Sequence, residues 1–211
     1  METTQAIQAR HTIRDFSNQP VDPAIVEKII KSGFAAPTNN HMREWHFVLL
    51  NDRDKRQALI DPVIHKLDHK GSLAVINRWG LTNTDQREMY LEAIPRQYSM
   101  LLNASVLILP FYAQPCPILK PKSLSDLNPF ASIWCCIENM LVAAADEGIF
   151  GVTRIPSKEE SSFIKETLHI PAHFEFPCWL ALGYPAENAK RTSQVSIDLS
   201  TRIHIDSWTV N

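Results

Sequence analysis

Between residues 131 and 147 the chain offers a helix with almost no polar face. Ile133, Trp134, Ile137, Met140, Leu141, Val142, Ala143 and Ala144 point in nearly every direction around a 3.6-residue period. A helix apolar on all sides is buried in a core or in a subunit interface, so the rest of the chain must supply partners for it. Three short apolar runs qualify as buried strands: residues 45–50 (WHFVLL), 104–112 (ASVLILPFY) and 178–184 (CWLALGY).

Other signals mark helices. Residues 3–9 read as a first helix. Asp22 caps a second, with Pro23 at its first position and an apolar stripe of Ile25, Ile29 and Ile30, and it ends near Gly33. Residues 54–102 read as helices broken near Gly71, Gly80 and Pro95, with a mobile connection. Pro115, Pro117, Pro121 and Pro129 crowd the loop ahead of the long apolar helix. Ser157-x-x-Glu160 is a capping box that opens a further helix, ended by Pro171. Residues 148–157 read only as the connection between these two helices. The tail, 192–211, has strand-like Val195 and Ile197, then Ile203, Ile205 and Trp208, and is too apolar to be left in solvent. Strands and helices mix without strict alternation, so the fold class is α+β.

The bulk properties exclude several functions. A chain of 211 residues suits one domain. Its 21 Lys and Arg against 23 Asp and Glu give a net charge of −2, with no basic surface for nucleic acid or anionic membrane. The N-terminal METTQAIQAR has no apolar h-region, and no apolar run approaches the roughly 18 residues of a membrane span. A cytoplasmic protein without membrane contact is the expectation. Cys116, Cys135, Cys136 and Cys178 show no paired spacing and read as buried free thiols. His65 and His69 share a possible helix face without a third ligand, so no metal site is expected. The six glycines form neither G-x-G-x-x-G nor a P-loop, and no G-x-S-x-G elbow or H-E-x-x-H is present.

Four polar clusters remain. Arg10-His11-Thr12-Ile13-Arg14 offers cations and a hydroxyl suited to a phosphate, although a solvated helix end reads the same way. Residues 35–41 (AAPTNNH) form a polar turn. Residues 148–157 lead into a capped helix, whose free N–H groups suit an electron-rich ligand edge. Lys190-Arg191 follows the last strand.

In this order and spacing the clusters resemble the FMN-dependent nitroreductase family. RHTIRDF, QPV, APTNN, EWHF, NASVLILPF, IENMLVAAADEGIFG and WLALGYPAENAKR stand where that family has similar segments, from about Thr3 to Arg191. The resemblance implies a mixed sheet flanked by helices, assembled as an intertwined homodimer with exchange of C-terminal arms. Residues 1–191 would form the FMN-binding domain and 192–211 the arm on the partner. It also implies roles. Arg10, His11 and Thr12 would hold the FMN phosphate with Lys190 and Arg191. Arg14 would lie by the flavin N1–C2=O edge and Gln97 at the pyrimidine edge. Ile155, Pro156 and Ser157 would face N5 and O4. Pro37, Thr38, Asn39 and His41 would come from the other subunit.

The implied activity is ping-pong transfer of hydride from NADH or NADPH, through flavin N5, to small acceptors such as nitroaromatics or quinones. No catalytic side chain is required, since the cofactor carries the chemistry. Reductive dehalogenation, flavin fragmentation and a non-enzymatic flavin carrier are the alternatives. For dehalogenation, Glu88, Tyr90 and Glu92 occupy the right region but a matching lysine is not evident. The chain departs from the family at His41-Met42-Arg43-Glu44, where N-x-Q-P is common, and at Met100, where some members have a flavin-contacting lysine. Pro156 has no N–H to offer N5.

Overall fold

The computed structural model describes residues 2–191 and 196–208 (for Asn40, the backbone alone). Helix α1 covers Thr3–Ala9 and α2 covers Pro23–Gly33, with Asp22 Oδ1 accepting from the Ala24 N–H at 2.8 Å. Strand β1 (Trp45–Leu49) is followed by α3 (Arg53–Ile60), α4 (His69–Arg78), α5 (Thr84–Ala93) and α6 (Gln97–Asn103). Then come β2 (Val106–Ala113), α7 (Asn128–Asp146), β3 (Phe150–Arg154), α8 (Lys158–Thr167), β4 (Phe174–Glu175) and β5 (Trp179–Gly183).

The strands form one sheet in the order β1-β2-β5-β3, with β4 beside β2, and each ladder is antiparallel. Among the described residues the parallel component is a single bridge, Thr12 to Gly151. Strand β2 shows why its sequence is an unbroken apolar run. Val106, Ile108 and Tyr112 enter one core with α2 and α7, while Leu107, Leu109 and Phe111 enter a second with α3, α6 and α8. Successive side chains point to opposite faces, so a strand covered on both sides needs no polar positions. The long helix α7 fills the first core with Ile133, Cys136, Ile137, Met140 and Ala144.

Several expectations are corrected. Residues 150–154 are an edge strand, not a plain connection. FGVTR is too short and too polar at its end to show strand periodicity, but Gly151 lets it lie close to β5: a Cβ there would sit 2.3 Å from the Ala181 carbonyl oxygen. Gly71 does not break a helix. It stands in the first turn of α4, its N–H donating to the Asp68 cap at 2.7 Å. Gly80 does end that helix, at φ 67°. His65 precedes α4 while His69 begins it, so they share no helix face. Cys135 is exposed, whereas Cys136 and Cys178 are buried. Met100 is a core residue of the second cluster.

By length and mean hydropathy (1.2), residues 124–146 suffice to cross a membrane, contrary to the sequence expectation. Here the segment is a core helix packed on α1, α2, β2 and β3. The tail holds a short 3-10 turn at Leu199–Thr201, and Ile197 lies outside any strand; Val195 falls outside the described residues.

Candidate functional site

The edge strand β3 organises the site. The Ile13 N–H donates to the Gly151 carbonyl at 3.2 Å, and the adjacent Thr12 bridge is parallel. The Arg10–Arg14 segment therefore runs in the same direction as β3, towards the end that carries Arg154 and the Ile155–Ser157 turn. Ile13 is buried, which leaves Thr12 and Arg14 on the opposite side of the extended segment. The His11 ring packs on Phe150 with centroids 4.2 Å apart, and its Nε2 is buried without a partner.

Around Arg14 the charges are dense. Burial lowers the Arg14 pKa first, then the neighbouring Arg96, while Tyr90, Asp15 and Glu92 raise it. Arg96 pairs with Asp15, and Lys190 pairs with Glu92 of α5. Lys190 holds the Glu92 carboxyl below its ordinary range. Arg14 also reaches the Met89 sulfur at 4.0 Å. Gln97, next to Arg96 at the start of α6, accepts from Arg154 Nε at 3.0 Å. Ser157 caps α8, its hydroxyl accepting from the Glu160 N–H at 3.2 Å. Ile155 is exposed beside it.

Of the residues singled out in the sequence, Thr12, Arg14, Gln97, Ile155, Pro156, Ser157 and Lys190 are brought to this edge. Arg10 lies further along, its Nε 3.1 Å from Glu138 of α7. Arg191 is exposed. Pro37, Thr38, Asn39 and His41 sit at the β1 side, where the Asn39 N–H donates to Ser132 Oγ at 3.0 Å. They flank a cavity of about 370 Å³ lined by Thr38, Asn39, Trp45, Gln114, Ser132 and His173. Strands β1 and β3 are the two edges of the main path, three strand spacings or about 14 Å apart. His41 and Arg43 both adopt left-handed backbone, at φ 55° and 48°.

Residues 7–184 match the model of the nitroreductase family, "Nitroreductase family", across most of the sequence. The chain belongs to the nitroreductase family. Among relatives of this nitroreductase-family chain, a 4-nitrobenzoate reductase of Nocardioides sp. is 22% identical over 95% of the chain and 85% of its own length. An iodotyrosine deiodinase of Nematostella vectensis is 23% identical over 90% of the chain and 69% of its own length. The structure superposes on an iodotyrosine deiodinase crystallised with FMN and 3-iodo-L-tyrosine at a TM-score of 0.70, with 14% identity, covering 98% of this chain and 100% of that one.

Sequence reasoning missed three residues of this nitroreductase-like site. Arg96 and Arg154 were hidden in segments read for helix breaks and connections. Glu160 was read as half of a capping box, but its carboxylate is taken by Arg154, with Nη2 to Oε1 at 2.9 Å. The signal available was the Arg154-to-Glu160 spacing, six residues across a strand-to-helix turn.

Proposed function

We propose that this chain is an FMN-dependent oxidoreductase. The Arg10–Arg14 segment, the start of α6 and the β3–α8 turn would hold the FMN. The observation that carries the reading is the placement of Arg14, whose pKa is lowered first by burial and then by the neighbouring Arg96, where an anion would relieve the repulsion between the two cations. The donor set fits the group: guanidinium forks and a hydroxyl for phosphate, an amide for the pyrimidine edge, and the buried Nε2 of His11 awaiting a partner. When bound, FMN would supply the redox chemistry, a two-electron exchange between NADH or NADPH and a small acceptor such as a nitroaromatic or a quinone.

The chain's residues then bind and orient. Arg10, His11 and Thr12, with Lys190 and Arg191, hold the phosphate. Arg14 places a cation at the N1–C2=O edge. Ser157 supplies the N–H that Pro156 lacks. Residues 1–191 form the flavin domain and 192–211 the arm that crosses to a second copy, which in turn places Pro37, Thr38, Asn39 and His41 at the first copy's flavin. Supporting the arm are Ile197, Leu199, Ile203, Ile205 and Trp208, all at least 64% exposed in the single chain. Purified protein should release FMN on heating and bleach when titrated anaerobically with NADH or NADPH. A chain lacking residues 195–211 should lose its yellow colour and its dimeric mass in sedimentation. Finding FAD, or no flavin after reconstitution, would refute the cofactor; a truncated monomer that still held FMN would refute the shared site.

One observation favours a second chemistry on the same site, reductive dehalogenation. A carboxylate, a phenol and a lysine meet beside Arg14: Glu92, Tyr90 and Lys190, which on this second reading leaves the phosphate to Arg10, His11, Thr12 and Arg191. They could grip an amino-acid zwitterion. Turnover of 3-iodo-L-tyrosine in preference to nitroaromatics would establish it.

A further inference from the structure

Arg154 is the last residue of β3, and each of its three guanidinium nitrogens donates a hydrogen bond. Its Nη1 and Nη2 grip the two oxygens of Glu160, and its Nε donates to Gln97 Oε1 at 3.0 Å. The ion pair is largely withdrawn from water, at 13% and 10% side-chain exposure. A buried pair of this kind contributes little net stability, since desolvation offsets most of its attraction. Its effect here is chemical. A guanidinium has donors and no acceptor. It therefore fixes which end of the Gln97 carboxamide it meets: the oxygen is turned to Arg154, and the NH2 is turned away.

We infer that Arg154, held by Glu160, is a positioning residue that makes Gln97 a one-way hydrogen-bond donor towards the flavin site. This rests on the FMN reading above and adds to it. An unclamped glutamine offers either a donor or an acceptor to a flavin edge, which carries both kinds of group. With its oxygen held on the Arg154 side, the clamped one presents its NH2, which serves acceptor atoms of the pyrimidine end. Together with Arg14 it makes that end of the site purely electron-withdrawing, so the clamp raises the midpoint potential of the bound flavin. Neither Arg154 nor Glu160 needs to touch the flavin for this to hold.

The test compares FMN-loaded proteins by spectroelectrochemical titration and visible absorption. Arg154→Met and Gln97→Leu should each lower the midpoint potential, and the double variant should fall no further than either alone, because both remove the same donor. Arg154→Lys, which also only donates, should keep the wild-type value. FMN affinity should drop by roughly tenfold or less in each single variant, the scale of one hydrogen bond. Arg154→Met strands a buried carboxylate on Glu160, so Arg154→Met/Glu160→Met, which replaces the whole pair by apolar side chains, gives the same measurement in a folded background. FMN-loaded variants whose potential and spectrum match wild type, or whose shifts simply add, overturn the positioning role alone. Wild-type protein that takes up no FMN overturns the cofactor reading and this inference with it.

Discussion

Arg56 donates twice to the carbonyl of Leu50, from Nη2 at 2.7 Å and from Nε at 3.1 Å. Its Nη1 serves the carbonyls of Leu102 and Ala104. The guanidinium is buried, and these backbone oxygens are its partners, so it ties the end of β1 to the junction of α6 and β2. Desolvation lowers its pKa without neutralising it. Arg56→Met should leave three carbonyls without donors and cost about 2–4 kcal/mol of folding stability. Urea unfolding should show a lower midpoint at unchanged m-value; a midpoint equal to wild type would mean that water replaces the side chain.

Gly151 should be intolerant where Gly148 is not. An added Cβ at 151 would meet Ala181 O at 2.3 Å and Leu182 Cδ2 at 2.4 Å, forcing β3 from β5 and carrying Thr12 with it. At Gly148 nothing lies within 4 Å, and only its φ of 71° opposes a side chain. Gly148→Ala should cost about 1 kcal/mol. Gly151→Ala should give little soluble protein, or protein that takes up FMN poorly. Paired expression and thermal melting of the two variants decide it.

The two outer arginines of the Arg10–Arg14 segment should separate in function. Arg10→Ala should weaken FMN binding by roughly 1.5–3 kcal/mol through loss of a charge-assisted contact, with little change in potential. Arg14→Ala should instead lower the midpoint potential, since it removes the cation at the pyrimidine end. Equilibrium FMN titration and redox titration of both variants are the measurements, and the reverse pattern would exchange the two roles.

Burial pushes the Cys136 thiol from 9.0 up to about 12, and it also raises Cys178. The protonated thiol is thus favoured by the folded state. That share of stability is complete below about pH 9 and drains away as the pH climbs towards 12, because unfolding then releases a proton. Cys136→Ala should flatten the fall in unfolding free energy between pH 9 and 11. A slope identical to wild type would show that this thiol ionises as easily folded as unfolded.

The helices with chemical punctuation were legible in the sequence. Asp22-Pro23 and the stripe after it mark α2, and three apolar runs mark β1, β2 and β5, because strands buried on both faces have no polar interruption. Strand β3 was not legible. It is an edge strand whose pairing depends on the close approach of Gly151 to Ala181, a contact 30 residues apart in sequence. The site was half legible for a related reason. Residues 10–14 and 190–191 announce themselves by clustered charge, whereas Arg96, Arg154 and Glu160 act through partners supplied by other elements. Glu160 shows the conflict directly: the local pattern assigns its carboxylate to a helix cap, and the tertiary partner Arg154 takes it.

Helices α4 and α5 pack mainly on each other, with Trp79 against Tyr90 at 5.2 Å, and their buried Ile76 and Ala93 belong to neither of the two cores. Yet α5 carries Met89, Tyr90 and Glu92 to the edge of the site. Mutational drift in this hairpin is thereby uncoupled from the burden of keeping the sheet folded. A lineage can rewrite what the site admits by exchanging some 25 residues, while the frame that holds the cations is inherited unchanged.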